Sequence, residues 1–137
     1  MIQRIQSIYL LLAALATIAF IFLPFGTVVY QGAPMTLTCT INPPLWICNA
    51  VLALVSVISI FLFSNRKLQM RIIFLTIIYS ILFILLFSAG LYLHIRNDRF
   101  HPQPALLLPV FALIFNFLAY KGVKHDEELV KSMDRLR

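Results

Sequence analysis

The chain has 137 residues, 61% of them hydrophobic and only 12% charged, with a mean hydropathy of +0.94, which rules out an ordinary water-soluble domain, where about 25% are charged. The formal net charge of +6 does not indicate a nucleic-acid partner, because the basic residues flank apolar runs and form no stripe interleaved with aromatics. Lipid accommodates such a composition, since a helix of roughly 20 apolar residues satisfies its own backbone across the hydrocarbon.

Four runs free of Asp, Glu, Lys and Arg predict transmembrane helices at about residues 5–23, 45–63, 72–93 and 105–120, within one membrane domain covering 1–137. The first run exceeds the 7–15 residues of a signal-peptide core and reads as a retained helix. Its small and weakly polar residues Ala13, Ala16 and Thr17 suit close helix packing.

Between the first and second runs, Thr27 to Tyr30 and Met35 to Ile41 are rich in β-branched residues, and Gln31 to Pro34 supply a turn. This pattern predicts a short β-hairpin capping the bundle. Cys39 and Cys48 are the only cysteines. A disulfide between them would tie the hairpin to the second helix if the compartment oxidises and the geometry permits; two free thiols are the alternative.

The connection at residues 64–71 is short enough to make the second and third helices antiparallel neighbours. Ala53 and Ser56 in the second run, and Thr76, Ser80 and Ser88 in the third, suit helix contacts, and Thr76 and Ser80 share a face. They serve helix packing or, alternatively, line a polar groove. In the next loop His94, Asp98 and His101 match no zinc spacing, and Arg96 and Arg99 beside them repel a cation, so no metal or cofactor is expected.

The fourth run contains Pro109, which predicts a bent helix or one that starts late. Asn116 is the one amide deep in a run, and it should find a partner across the bundle or on another chain. In the tail, Leu129, Met133 and Leu136 recur at helical spacing. Acidic residues come early and Arg135 late, and Glu127 faces Lys131 at i, i+4. A C-terminal amphipathic helix follows, lying on the membrane surface or docking on a partner.

Nine Lys and Arg fall on the side of the two termini and two on the other, so the positive-inside rule puts both termini in the cytoplasm and the hairpin outside. The fold class expected is therefore an all-α integral membrane protein: a four-transmembrane-helix bundle, an extracytoplasmic hairpin between helices one and two, and a cytoplasmic amphipathic helix. No ionisable residue lies within a run, which argues against proton-coupled transport, voltage sensing and carboxylate-based hydrolysis in the membrane. There is no phosphate loop, nucleophile elbow or metal-binding His-Glu motif, so an enzyme lacks a positive feature.

The opening stretch Met1 to Leu12 and the closing stretch Asp126 to Arg137, with the spacing of the four runs, resemble an uncharacterised family of four-helix inner-membrane proteins of Bacteroidota, catalogued as a domain of unknown function. The resemblance covers the whole chain and implies an inner-membrane location, with no activity, ligand or site residue attached. It also draws attention to the two ends: Gln3, Arg4 and Gln6 should lie near the tail. Partner docking is expected at Arg4, Glu127, Leu129, Lys131, Met133, Arg135 and Leu136, and an intramembrane polar contact at Asn116, Thr76 and Ser80. The reading that follows is a non-enzymatic accessory or scaffold subunit of an inner-membrane assembly, in contact with membrane lipid and not with nucleic acid. The alternative is a small lipid- or solute-binding carrier or channel.

Overall fold

Each of the four charge-free runs folds as a helix, and local chemistry sets where each begins and ends. The computed structural model describes residues 3–30, 32–95 and 100–134. Helix α1 (Gln3–Phe22) is followed by strands β1 (Gly26–Tyr30) and β2 (Ala33–Leu37) and a 3-10 turn at Cys39–Ile41. Helix α2 (Pro43–Phe61) opens on two prolines, whose missing amide hydrogens fall where a helix has no acceptor for them. A 3-10 turn at Leu62–Ser64 leads to α3 (Arg66–Ile95), and Asn65 caps that helix, accepting from the Leu68 amide through Oδ1 at 3.4 Å. Strand β3 (Phe100–Pro102), a 3-10 turn at Pro104–Leu107 and α4 (Leu108–Asp134) complete the chain.

All four helices are long and apolar enough to cross a membrane. They form an up-down square in which α1 packs on α2 and α4, and α3 closes the figure against the same two helices. Both described ends of the chain therefore lie at one end of the bundle, here called the termini end, and the strands lie at the other, the sheet end. The expected antiparallel contact of the second and third helices is present. The outward faces carry exposed Leu, Ile, Val and Phe, among them Leu15, Leu54, Leu75 and Phe117.

Of the two expectations for Pro109, the late start is the one observed: α4 begins at Leu108, three residues into the apolar run, so the proline sits in its first turn and removes no hydrogen bond. The tail does differ from expectation, since it is not a separate surface helix. α4 runs unbroken through Lys121 to Asp134 for 27 residues, about 40 Å at 1.5 Å per residue, because nothing between the apolar run and the tail breaks a helix. Gly122, the one candidate, is held at a close helix contact.

The hairpin is present, with Tyr30 opposite Ala33 across a two-residue turn. Gly32 there has φ +81°, a left-handed conformation that glycine adopts without steric penalty. It is not an isolated hairpin, however: β3 pairs antiparallel with the other edge of β1, giving the order β2-β1-β3. The Phe25 amide donates to the Leu37 carbonyl at 3.0 Å and the Gln103 amide to the Phe25 carbonyl at 3.1 Å. The two sheet-end loops are thereby joined. A three-stranded sheet packed on helix ends is stable where a lone hairpin is marginal.

Candidate functional site

The bundle interior is layered. At the sheet end Phe20 is fully buried and stacks on Phe25 at 5.7 Å between centroids, while Phe83 and Phe87 meet it edge-on at 6.3 and 5.5 Å. Near the termini, Leu10, Ile73, Ala119 and Val123 close a second apolar cluster. Between them every helix contributes buried polar residues: Thr17 from α1, Asn49 and Ser56 from α2, Thr76 and Ser80 from α3, and Asn116 from α4.

The hydroxyls of this layer are satisfied within their own helices. Ser56 donates to the Leu52 carbonyl at 2.9 Å, Thr76 to Ile72 at 2.8 Å and Ser80 to Thr76 at 2.7 Å, the i to i−4 pattern of Ser and Thr in helices. Thr76 and Ser80 share the interior face, as their spacing predicts. Other side chains tie helices together, among them Asn49 Nδ2 to the Thr17 carbonyl at 2.6 Å, Gln69 Nε2 to the Ser59 carbonyl at 3.0 Å, and the Tyr79 hydroxyl to the Cys48 carbonyl at 3.3 Å. The expectation for Asn116 fails. It is 1% exposed, and neither its Oδ1 nor its Nδ2 has a partner. It faces inward, so a second chain packed on the outside of the bundle does not reach it.

A cavity of about 540 Å³ lies at the sheet end, where β2 and the first turn of α2 stand away from the last turns of α3. Met35, Leu37, Leu45, Leu86 and Phe87 form its walls, and among the described residues Thr38 and Asn42 are its polar side chains. Gly90 also borders it, and a Cβ built there would meet no atom within 4 Å. None of Thr76, Ser80 and Asn116 lines this space. The one hint of it in the sequence is Gly90 within an apolar run, a position where a larger side chain would ordinarily fill space.

At the termini end, Gln6 Nε2 donates to Asp126 Oδ2 at 2.5 Å, with the two residues 5% and 8% exposed. Gly122 lies against Gln6; a Cβ there would stand 2.8 Å from Gln6 Cγ, so glycine is what allows α1 and α4 to come this close. The opening residues and the tail thus meet at Gln6. Asp126 had no assigned role beyond the helix dipole, since nothing in its spacing reveals a partner 120 residues away. Beyond this clamp Glu127 pairs with Lys131 at 2.9 Å, and Leu129, Val130 and Met133 are exposed. Arg4 lies in the first turn of α1, while Arg135 and Leu136 fall outside the described residues.

Cys39 and Cys48 are both free thiols. Cys39 is fully buried in the sheet-end aromatic cluster, and burial pushes its thiol up to about 12, which suppresses the nucleophilic thiolate at neutral pH. Alkylation of the folded protein by a maleimide at pH 8 is expected to leave Cys39 unmodified until the chain is denatured; prompt labelling of Cys39 in the folded state would contradict this. His101 is exposed on β3, and Arg96, Asp98 and Arg99 lie outside the described residues. Among the described residues no three His, Cys, Asp or Glu side chains stand close enough to hold a metal.

Among known proteins, a family described as a domain of unknown function (DUF4293) matches residues 2–136. No curated protein and no solved structure matches the chain.

Proposed function

The chain belongs to the DUF4293 family, whose description assigns no activity, and from the geometry of this member we propose a non-enzymatic lipid-binding protein of the inner membrane. The four helices cross the bilayer with both termini in the cytoplasm. The nine basic residues at the termini end against two at the other support this orientation. The observation that carries the reading is the sheet-end cavity. Its lining is mostly apolar, drawn from the strands, the start of α2 and α3, with two uncharged polar groups, Thr38 and Asn42, in the turn before α2. Its volume falls within the range of ligand pockets. An acyl chain entering sideways from the outer leaflet matches that lining, and the polar edge matches the ester region of a lipid. The polar layer, by contrast, is occupied by hydroxyls bonded within their own helices, which favours packing over a solute path.

Gly90→Leu tests this. The new side chain grows into the cavity, and leucine also improves helix propensity by about 1 kcal/mol over glycine. The variant should be as stable as the wild type or more so. Phospholipid retained through mild-detergent purification, measured by extraction and mass spectrometry, should fall several-fold. Equal retention by the two proteins would defeat the proposal.

A second reading, an accessory or scaffold subunit that docks a protein partner, is favoured by one observation: the last turns of α4 continue past the Gln6–Asp126 clamp with Leu129 and Met133 exposed. Its test is affinity purification from native membranes, comparing the whole chain with one ending at Glu128, which keeps the clamp. Partners lost with the tail support this reading, and an unchanged set counts against it.

A further inference from the structure

The basic residues at the termini end are not spread evenly around the bundle. The rings of Phe74 on α3 and Tyr120 on α4 meet at 6.0 Å between centroids, which fixes the register of the two antiparallel helices and marks the face each turns to the other. Helical spacing then places the charges. Arg71 is three residues and Lys67 seven residues before Phe74, so both return to that face. Lys124 is four residues after Tyr120 and does the same on α4. Counted from the aromatic pair at 1.5 Å per residue, Arg71 and Lys124 stand about 5 Å beyond it on opposite sides of one seam, with Lys67 a turn farther out. All three side chains are exposed.

The acidic groups nearby do not cancel them. Asp126 is buried and takes its hydrogen bond from Gln6 on the α1 side of α4. Glu127 is held by Lys131. Glu128 is exposed on the same face as Lys124, one turn farther along α4 from the aromatic pair, and makes no ion pair with it. The Lys121 ammonium folds back over the Phe117 ring at 5.1 Å, which adds positive charge at the level of Tyr120. From there the seam continues toward the middle of the bundle as exposed apolar surface: Ile78 and Ile81 lie one and two turns from Phe74 on α3, and Phe117 lies on α4.

We propose that this seam holds an anionic glycerophospholipid, its phosphodiester between Arg71 and Lys124 and its acyl chains along Ile78, Ile81 and Phe117. The two cations from different helices supply charge complementarity that neither gives alone. The apolar continuation selects a lipid over a free phosphate. The site lies on another face and at the opposite end from the sheet-end cavity, and does not depend on it.

The single tryptophan makes the test direct. Trp46 lies in the first turn of α2, at the sheet end. In the Trp46→Phe background, Tyr120→Trp puts an indole in the seam. The full chain is then reconstituted in vesicles of phosphatidylcholine containing brominated phosphatidylglycerol or brominated phosphatidylcholine, and quenching is compared. About tenfold stronger relative association of the anionic lipid is expected at position 120. That excess should vanish with Arg71→Gln plus Lys124→Gln and survive Arg71→Lys plus Lys124→Arg. Wild-type Trp46 should show no excess. Equal quenching by the two lipids at position 120, or an excess unchanged by the glutamine pair, overturns the proposal. So does an equal excess at Trp46, which would mean general attraction to the membrane, or abolition of the excess by millimolar inorganic phosphate, which would assign the seam to free anions. Gly90→Leu should leave the excess intact, so failure of the cavity reading and failure of this one are distinguishable.

Discussion

Phe20→Ala is expected to destabilise the bundle by about 2–4 kcal/mol, read as a shift in unfolding by denaturant in detergent micelles. The Phe20 side chain is fully buried and touches Phe25, Phe83 and Phe87, so truncation removes contacts from α1, from α3 and from the segment leading into β1 at once. In a lipid-like medium the removed atoms gain little from transfer, so the loss comes mainly from the void and the missing dispersion contacts. That places it somewhat below the 3–5 kcal/mol typical of Phe→Ala in a soluble core. Phe22→Ala on the same helix supplies the comparison, since Phe22 is 72% exposed and its truncation should change stability by less than about 0.5 kcal/mol. Similar effects at the two positions would mean that the aromatic cluster is not a packed core.

Asn116→Leu is expected to act in the opposite direction, raising stability by about 1–3 kcal/mol in the same measurement. Both polar atoms of Asn116 are buried without a partner, and leucine keeps the branch at Cγ while removing the desolvated amide. The neighbours one turn away on the same face of α4, Ala112 and Ala119, are small and buried. Asn49→Leu should instead lower stability, because Asn49 Nδ2 donates to the Thr17 carbonyl at 2.6 Å and links α2 to α1. A loss of stability on Asn116→Leu would mean that its amide is engaged after all, and the description of it as an unpaired group would fall.

The parts of the fold that could be read in advance are those governed by local pattern. Four apolar runs became four helices because backbone satisfaction and residue hydropathy act over a window of about 20 residues, and Gly32 with its β-branched flanks announced the hairpin. That Thr76 and Ser80 share a face follows from spacing alone. What escaped depends on distant parts of the chain meeting. Strand β3 is three residues long and ends in Pro102, with no alternation to detect; it exists because β1 offers it an edge. The cavity arises where α3 and the hairpin stand apart, and only Gly90 hinted at it. Asn116 stands out in the sequence as costly, but an amide marks a need for a hydrogen bond without guaranteeing one, and its side chain is buried without a partner. The continuity of α4 is not legible in the sequence because a shift from apolar to charged composition looks like a boundary, although the helix itself is indifferent to it.

The close pairing of α1 with α4 also bears on how the chain is made. A ribosome delivers α1 before α4, so the face of α1 that carries Gln6, Ala13 and Thr17 must wait through the synthesis of everything between. Until Gly122 and Asp126 emerge, the polar end of that face has no permanent neighbour. Closure of this seam thus waits for α4, and a chain that lacks α4 displays an unfilled seam of small and polar residues. In a membrane, polar groups associate readily with whatever is at hand, so that seam is the face on which an unfinished copy differs from a finished one.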